Sequence, residues 1–366
     1  MIKEGKFGAQ EVICMLTIAI STKVFFTRPA FLVRLTGTSA WYTILLSDLT
    51  AIVAFTFIYL LLKRFPGKNI VEIFDTSMGR IIGFLFSFAF MIIFILMVSV
   101  FLREFTEVLR TYTYEDTPSS MIEGAFVITV GVVSFLGLET IARVSKLFAY
   151  FLLIGFIAVI ILSAKYFNFK YLFPILGYGL DKTIIQGFFR SSSYAEIAVL
   201  AIFASSLQGI KQIKKAGYVS LILSGLILSI GSLCFILLYP YFSQQELVAP
   251  YYEMTRLIKY GTFFTRLDSF FLIVWTISTF ITISIIFYAS ISTYCKAFRL
   301  QDKRPVIVSM YVILFATALA PRSLSDLVDK TIQTLRDYTG IVLFGLPLIA
   351  LITAVIRKKK GKKSYG

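Results

Sequence analysis

Residues 12–26 read Val-Ile-Cys-Met-Leu-Thr-Ile-Ala-Ile-Ser-Thr-Lys-Val-Phe-Phe, an apolar run of membrane-spanning character with one charge, Lys23, set inside it. A lysine at the centre of a spanning helix costs on the order of 2.5 to 3.5 kcal/mol or more, so it belongs in a bundle interior and marks a functional site by default. A second apolar run, residues 183–207, is interrupted in the same way by Arg190-Ser191-Ser192-Ser193-Tyr194 and also carries Glu196. The two interruptions fall in the first and the sixth apolar segments, five helices apart. An inverted-repeat transporter fold places its broken helices, and its midplane binding site, at that spacing.

The remainder of the chain reads as membrane bundle. Its 366 residues are 58% hydrophobic and 15% charged, with a mean hydropathy of +0.83, which is the composition of a polytopic membrane protein. Apolar stretches of spanning length fall at residues 10–33, 41–62, 81–102, 120–138, 147–164, 183–207, 217–239, 267–290, 306–321 and 339–356. The sequence therefore predicts an all-α protein of ten transmembrane helices in one domain, residues 1–366. Residues 1–165 form the first five-helix repeat, 183–356 the second, and 357–366 a basic tail. Residues 1–10 lack a signal-peptide cleavage pattern, so no removed leader is expected.

The net charge of +16 follows from topology, because the lysines and arginines concentrate in alternate loops. Lys3, Lys6, Lys63, Arg64, Lys68, Arg80, Arg143, Lys146, Lys211, Lys214, Lys215, Lys296, Arg299, Lys303 and Arg304 share one side with the tail Arg357-Lys358-Lys359-Lys360-Gly361-Lys362-Lys363. Most acids, including Glu104, Glu107, Asp326 and Asp329, are assigned to the other. The positive-inside rule then puts both termini in the cytoplasm, with the tail against anionic lipid. Nucleic acid is not expected as a partner, since no aromatics are interleaved with the basic residues for stacking.

The sequence has no histidine, which removes His-ligated metals and His-based acid–base chemistry. Cys14, Cys234 and Cys295 are scattered without metal spacing and read as small buried hydrophobes. No catalytic constellation, metal or cofactor is expected.

Two connections are more than loops. Residues 69–79 set Ile70, Val71, Ile73 and Phe74 against Glu72 and Asp75, as in a short amphipathic helix on the cytoplasmic interface. In residues 243–264, Tyr251, Tyr252, Met254, Leu257 and Ile258 have the spacing of another, either capping an outward vestibule or resting in headgroups.

Breaking a helix in hydrocarbon strands backbone N–H and C=O groups that protein, water or a ligand must satisfy. A half-helix from about Phe25 to Val33 offers free N–H groups and a positive dipole end to a carboxylate, and Lys23, beside Thr22, Val24 and Phe25, adds a full charge. Carbonyls ending a half-helix at Phe189 suit an ammonium, with Ser191, Ser192, Ser193 and Tyr194 as further partners. A zwitterion such as a small amino acid is the economical ligand. Lys23 has an alternative reading as a structural ion pair with Glu196, or as a side chain snorkelling to one interface. Glu196 itself reads either as that partner or as a proton carrier. Asp48 is left without a role. The eighth span is rich in hydroxyls, including Thr276 and Thr279, which glue helices together as often as they bind ligands. Phe94, Met97, Val98 and Phe101 are candidates for an apolar wall, but 37 phenylalanines in the chain make such a choice nearly arbitrary.

Several stretches in order resemble a known family, the B subunits of bacterial spore germinant receptors, which are permeases of the amino acid-polyamine-organocation transporter superfamily with a LeuT-like fold. They are Glu11 to Ile20, Thr22 to Pro29 with its Arg28-Pro29 pair, Trp41, and Lys63-Arg64-Phe65-Pro66-Gly67-Lys68-Asn69-Ile70-Val71-Glu72-Ile73. Ser193-Tyr194-Ala195-Glu196 stands where that family commonly has a small residue and then glutamate. The resemblance implies a nutrient sensor in the spore inner membrane, acting beside an A subunit and a lipoprotein C subunit and signalling by a shifted conformational equilibrium. The chain departs from the family at Ser21-Thr22-Lys23, where glycine is common. That departure implies a more polar, narrower pocket, a ligand other than alanine, or a lysine that itself fills a cation position. The competing reading is a proton- or sodium-coupled amino acid transporter, which shares the fold.

Overall fold

The computed structural model describes residues 8–207, 209–258, 267–321 and 323–361, and within them every regular element is helical. The first span is in pieces: α1 (Ala9–Ser21), a 3-10 turn Thr22–Phe25, an extended Phe26, and α2 (Arg28–Thr36). Pro29 supplies a cause. It has no N–H to return to the carbonyl of Phe25, and is tolerated only because it falls in the first turn of α2. There follow α3 (Ala40–Arg64), α4 (Ile70–Met78), α5 (Arg80–Tyr112), α6 (Ser119–Leu136) and α7 (Leu138–Ser163).

The sixth span is broken more extensively, into α8 (Leu180–Phe189), a 3-10 stretch Arg190–Ala198 and α9 (Val199–Ile202). Runs of 3-10 helix beyond three or four residues are uncommon and mark strain or a hinge; this one has nine. The chain continues with α10 (Ile210–Leu238), α11 (Tyr241–Glu246), α12 (Pro250–Leu257), α13 (Leu267–Ala297) and α14 (Arg304–Ala318). It ends in α15 (Leu324–Ile356), a helix interrupted by π turns at Leu327–Thr331 and Ile341–Gly345.

Among the described residues seven helices are long and apolar enough to cross a bilayer, fewer than the ten spans read from sequence. The first and sixth expected spans are the broken ones, and α14 has 15 residues. The tenth expected span, residues 339–356, is a correction in the other direction, because its helix begins at Leu324. So is the third, residues 81–102: α5 runs on to Tyr112 and carries Glu104 and Glu107 inside the bundle rather than in a loop. Arg103 makes that extension possible. It bonds Glu107 at 2.9 Å, Glu123 of α6 at 3.0 Å and the carbonyl of Pro321 at 3.0 Å, the pairing that buried charges require.

In the core, α1 packs on α7, α10 and α13, and α13 packs along α5. The Arg190–Ala198 stretch is wedged between α3, α1 and the Ile332–Gly340 part of α15. Small residues permit the closest approaches. A Cβ on Gly231 of α10 would lie 2.4 Å from Val24 and 3.1 Å from Tyr251.

The two expected amphipathic helices form, and both turn their apolar faces to protein. α4 begins with a capping box, Asn69 accepting from the Glu72 N–H while Glu72 accepts from the Asn69 N–H, a reciprocal pairing of otherwise orphaned donors. Its Ile70, Val71, Ile73 and Phe74 are buried against α5 and α15. In α12, Tyr251 is fully buried beside the first break, in edge contact with Phe25 at 5.5 Å and stacked on Phe156 at 5.4 Å. This is neither a helix resting in headgroups nor a lid over open space. Residues 259–264 of that connection lie outside the described residues, as do 1–7 with Lys3 and Lys6 and 362–366 of the basic tail.

Candidate functional site

The two helix breaks meet at a lysine. Lys23 Nζ donates to Glu196 Oε2 at 2.5 Å and to the carbonyl of Ser193. Lys23 is 7% exposed and Glu196 is fully buried. Lys23 Nζ lies 5.8 Å from the ring centroid of Phe101, an arrangement favourable for a cation.

Beside this pair lies a cavity of about 60 Å³, room for a few waters or a molecule of a handful of heavy atoms. Four segments line it. Lys23, Phe26 and Arg28 come from the first break, and Ser192, Ser193 and Glu196 from the second. α5 contributes Met97, Val100, Phe101 and Glu104, and α15 contributes Ile332, Leu335, Arg336 and Thr339. Both helical sets follow the spacing i, i+3, i+4, i+7, a single helix face.

Polar atoms at the cavity fall into two groups. Some are matched within the chain. Glu104 Oε1 accepts from the Thr27 N–H at 3.1 Å and from Thr27 Oγ1 at 2.5 Å, so a carboxylate already meets the N-terminal end of α2. This is the interaction that helix polarity favours, supplied by the protein where the sequence suggests a ligand's carboxylate. Others lack a protein partner: Arg28 Nη2 and Glu196 Oε1 are both buried and both unmatched among the described residues. Arg28 is 2% exposed, donates from Nη1 to the Ser193 carbonyl at 3.5 Å and lies over the Tyr194 ring at 5.5 Å. The Arg336 guanidinium faces the Phe31 ring at 5.5 Å.

Of the residues singled out from sequence, Lys23, Ser192, Ser193 and Glu196 line this cavity, as do Met97 and Phe101 of the four apolar-wall candidates, while Phe94 and Val98 are buried off its wall. Tyr194 stands behind it, its hydroxyl donating to the Ile44 carbonyl at 3.2 Å. Ser191 is half-buried and off the wall. Val24 packs on Gly231. Thr22 and Phe25 face a different space, a largely apolar crevice of about 510 Å³ between α1, α7 and α10. Thr22 Oγ1 donates to Ile18 O at 2.7 Å and accepts from Thr282 at 3.1 Å, the helix-gluing role of a hydroxyl. Thr279 is buried on α13 with its hydroxyl unmatched, Thr276 is half-buried, and neither lines the cavity. Arg28 enters the sequence reading only as half of the Arg28-Pro29 pair and Glu104 only as a loop acid, and Arg336 and Thr339 are not singled out there at all; all four line the cavity.

A membrane protein that is helical throughout its described residues, and whose two interrupted helices meet at a partly open cavity carrying several charged groups, has an architecture that secondary transporters share. The solved structures agree on the fold. A nucleobase-cation-symport-1 family transporter, in a closed conformation with bromovinylhydantoin bound, superposes with a TM-score of 0.68 at 12% identity, covering 97% of this chain and 80% of that one. The manganese transporter of Eremococcus coleocola gives 0.52 at 11% identity, covering 98% and 82%. Within that class the chain belongs to the spore germination protein family, which it matches over residues 9–327. Spore germination protein KB of Bacillus subtilis (strain 168) is 25% identical over 339 residues, 90% of each chain. Spore germination protein B2 of the same organism is 21% identical over 366 residues, 98% of each, and spore germination protein GerQB of Bacillus cereus is 24% identical over 349 residues, 89% of this chain and 90% of that one. The germinant-receptor permeases named from the sequence are this family.

Proposed function

We propose that the chain is the nutrient-sensing subunit of a spore germinant receptor, binding a small polar ligand in the cavity between its two helix breaks. It would lie in the spore inner membrane with both termini cytoplasmic, beside an A subunit and a C subunit. Its ten crossings, counting the two broken helices and α14, would be arranged as two five-helix repeats over residues 1–165 and 183–356. One observation carries the reading: Lys23 and Glu196, one from each broken segment, pair at 2.5 Å on the wall of a cavity. A ligand that interacts differently with these groups in two arrangements of the breaks shifts the balance between them, which is all that sensing requires.

The likeness to a symport-family transporter supports a second reading, coupled uptake of an amino acid through the same cavity. Saturable ligand binding by the purified chain without accumulation in liposomes supports the sensor. Uptake driven by a proton or sodium gradient into liposomes holding this chain alone supports the transporter.

A further inference from the structure

Resting on that reading of the cavity, we infer that its ligand is a small monoanion bearing a neutral hydroxyl, of the hydroxycarboxylate class, and that Lys23 occupies the place of a zwitterion's ammonium. The acceptors that would hold an ammonium at the second break are the Ser193 carbonyl and the Glu196 carboxylate, and Lys23 Nζ already donates to both. A ligand ammonium there would share one carboxylate with a lysine, two like charges in a setting of low dielectric.

The charge on the walls points the same way. Three cations, Lys23, Arg28 and Arg336, line the cavity with two carboxylates, Glu104 and Glu196. Glu196 is engaged by Lys23 and Glu104 by the first turn of α2, and among the described residues neither guanidinium has a carboxylate oxygen within 4 Å, Arg28 feeling Glu196 and Asp48, and Arg336 feeling Glu104, only from further away. An unpaired buried cation is costly, and a carboxylate is the geometric match for a guanidinium. The second orphan, Glu196 Oε1, needs a donor. A hydroxyl supplies one without adding positive charge beside Lys23. One molecule with a carboxylate and an adjacent hydroxyl satisfies both orphans.

Lactate and alanine test this, being nearly isosteric and differing in hydroxyl against ammonium. Calorimetric titration of the full chain in nanodiscs should show lactate binding at least tenfold more tightly than alanine. Arg336→Gln should weaken lactate at least tenfold while leaving the melting temperature within a few degrees. Lys23→Met should invert the order, because Glu196 is then free to accept the ligand's ammonium. Alanine binding as tightly as lactate to the unaltered chain, or an Arg336→Gln variant that binds lactate undiminished, overturns the inference and leaves the cavity as a binding site. Failure of the unaltered chain to bind lactate, alanine, propionate or ethylamine overturns the reading beneath it as well.

Discussion

Lys23 Nζ and Glu196 Oε2, 173 positions apart in the chain, stand 2.5 Å from each other and tie one helix break to the other. Removing one partner of a buried pair leaves an uncompensated charge, typically at a cost of about 3–5 kcal/mol, whereas replacing both is often close to neutral. Lys23→Met or Glu196→Leu alone should therefore lower the melting temperature strongly, and Lys23→Met with Glu196→Gln should recover more than half of the loss. Thermal unfolding of the parent, Lys23→Met, Glu196→Gln and their double variant, with Glu196→Leu as a fifth protein, checks this. A double variant whose loss equals the sum of the two single losses would mean that the two residues act independently.

Glu104 and Thr27 make the second internal match, and it has a predictable electrostatic consequence. Glu104→Gln keeps an oxygen to accept from the Thr27 N–H and hydroxyl but removes a negative charge from a cavity already rich in cations. Binding of a small anion such as lactate should tighten by about threefold to tenfold, up to about 1.4 kcal/mol, and binding of a cation such as ethylamine should not. Calorimetry on the variant reads this directly, and unchanged anion affinity would show that Glu104 is too well screened by the α2 terminus to influence the site.

How far the site was legible in the sequence depends on what each wall is made of. The two breaks stood out because Lys23 and the Arg190–Tyr194 stretch interrupt otherwise apolar runs, and Glu196 followed from them. Glu104 and Arg336 did not, because each lies in a helix whose buried charges pull its hydropathy down. The last turns of α5 and the stretch Asp326–Asp337 of α15 consequently looked like loops. A periodicity reading could have found them: Met97, Val100, Phe101 and Glu104 share one spacing with Ile332, Leu335, Arg336 and Thr339. Thr22, Val24 and Phe25 were singled out because they adjoin Lys23, but a 3-10 turn sends successive side chains in different directions, and theirs point to α10, α12 and α13.

Gly231 sets how closely α10 approaches the first break. In Gly231→Ala the new Cβ would fall 2.4 Å from Val24 Cγ2 and 3.1 Å from the Tyr251 ring, so the turn carrying Lys23 has to move. Overpacking of this kind costs about 1–3 kcal/mol, against a gain of up to about 1 kcal/mol in helix propensity. Gly345→Ala is the matched control, since nothing lies within 4 Å of its added Cβ. The first variant should melt lower than the parent and the second no lower. Equal melting temperatures would show that α10 tolerates displacement without disturbing the break.

Arg64, at the end of α3, holds the end of α15. Its Nε donates to the Lys359 carbonyl at 2.7 Å and its Nη2 to the Ala354 carbonyl at 3.0 Å. The Gly361 N–H returns a bond to the Arg64 carbonyl at 3.1 Å, and Lys359 Nζ reaches the Thr76 carbonyl of α4 at 2.9 Å. These bonds satisfy carbonyls that a helix C-terminus leaves open, and they fasten a segment of consecutive basic residues that trypsin would otherwise cut readily. Arg64→Met removes both guanidinium bonds, each worth about 1.5–3 kcal/mol when the donor is charged. Trypsin should then cleave between Arg357 and Lys360 several-fold faster than in the parent, as followed by intact mass, while Lys63→Met, at an exposed neighbouring position, should leave the rate unchanged. Equal rates in all three proteins would mean that the tail is held by its contacts with α4 and the Phe65–Pro66 turn rather than by Arg64.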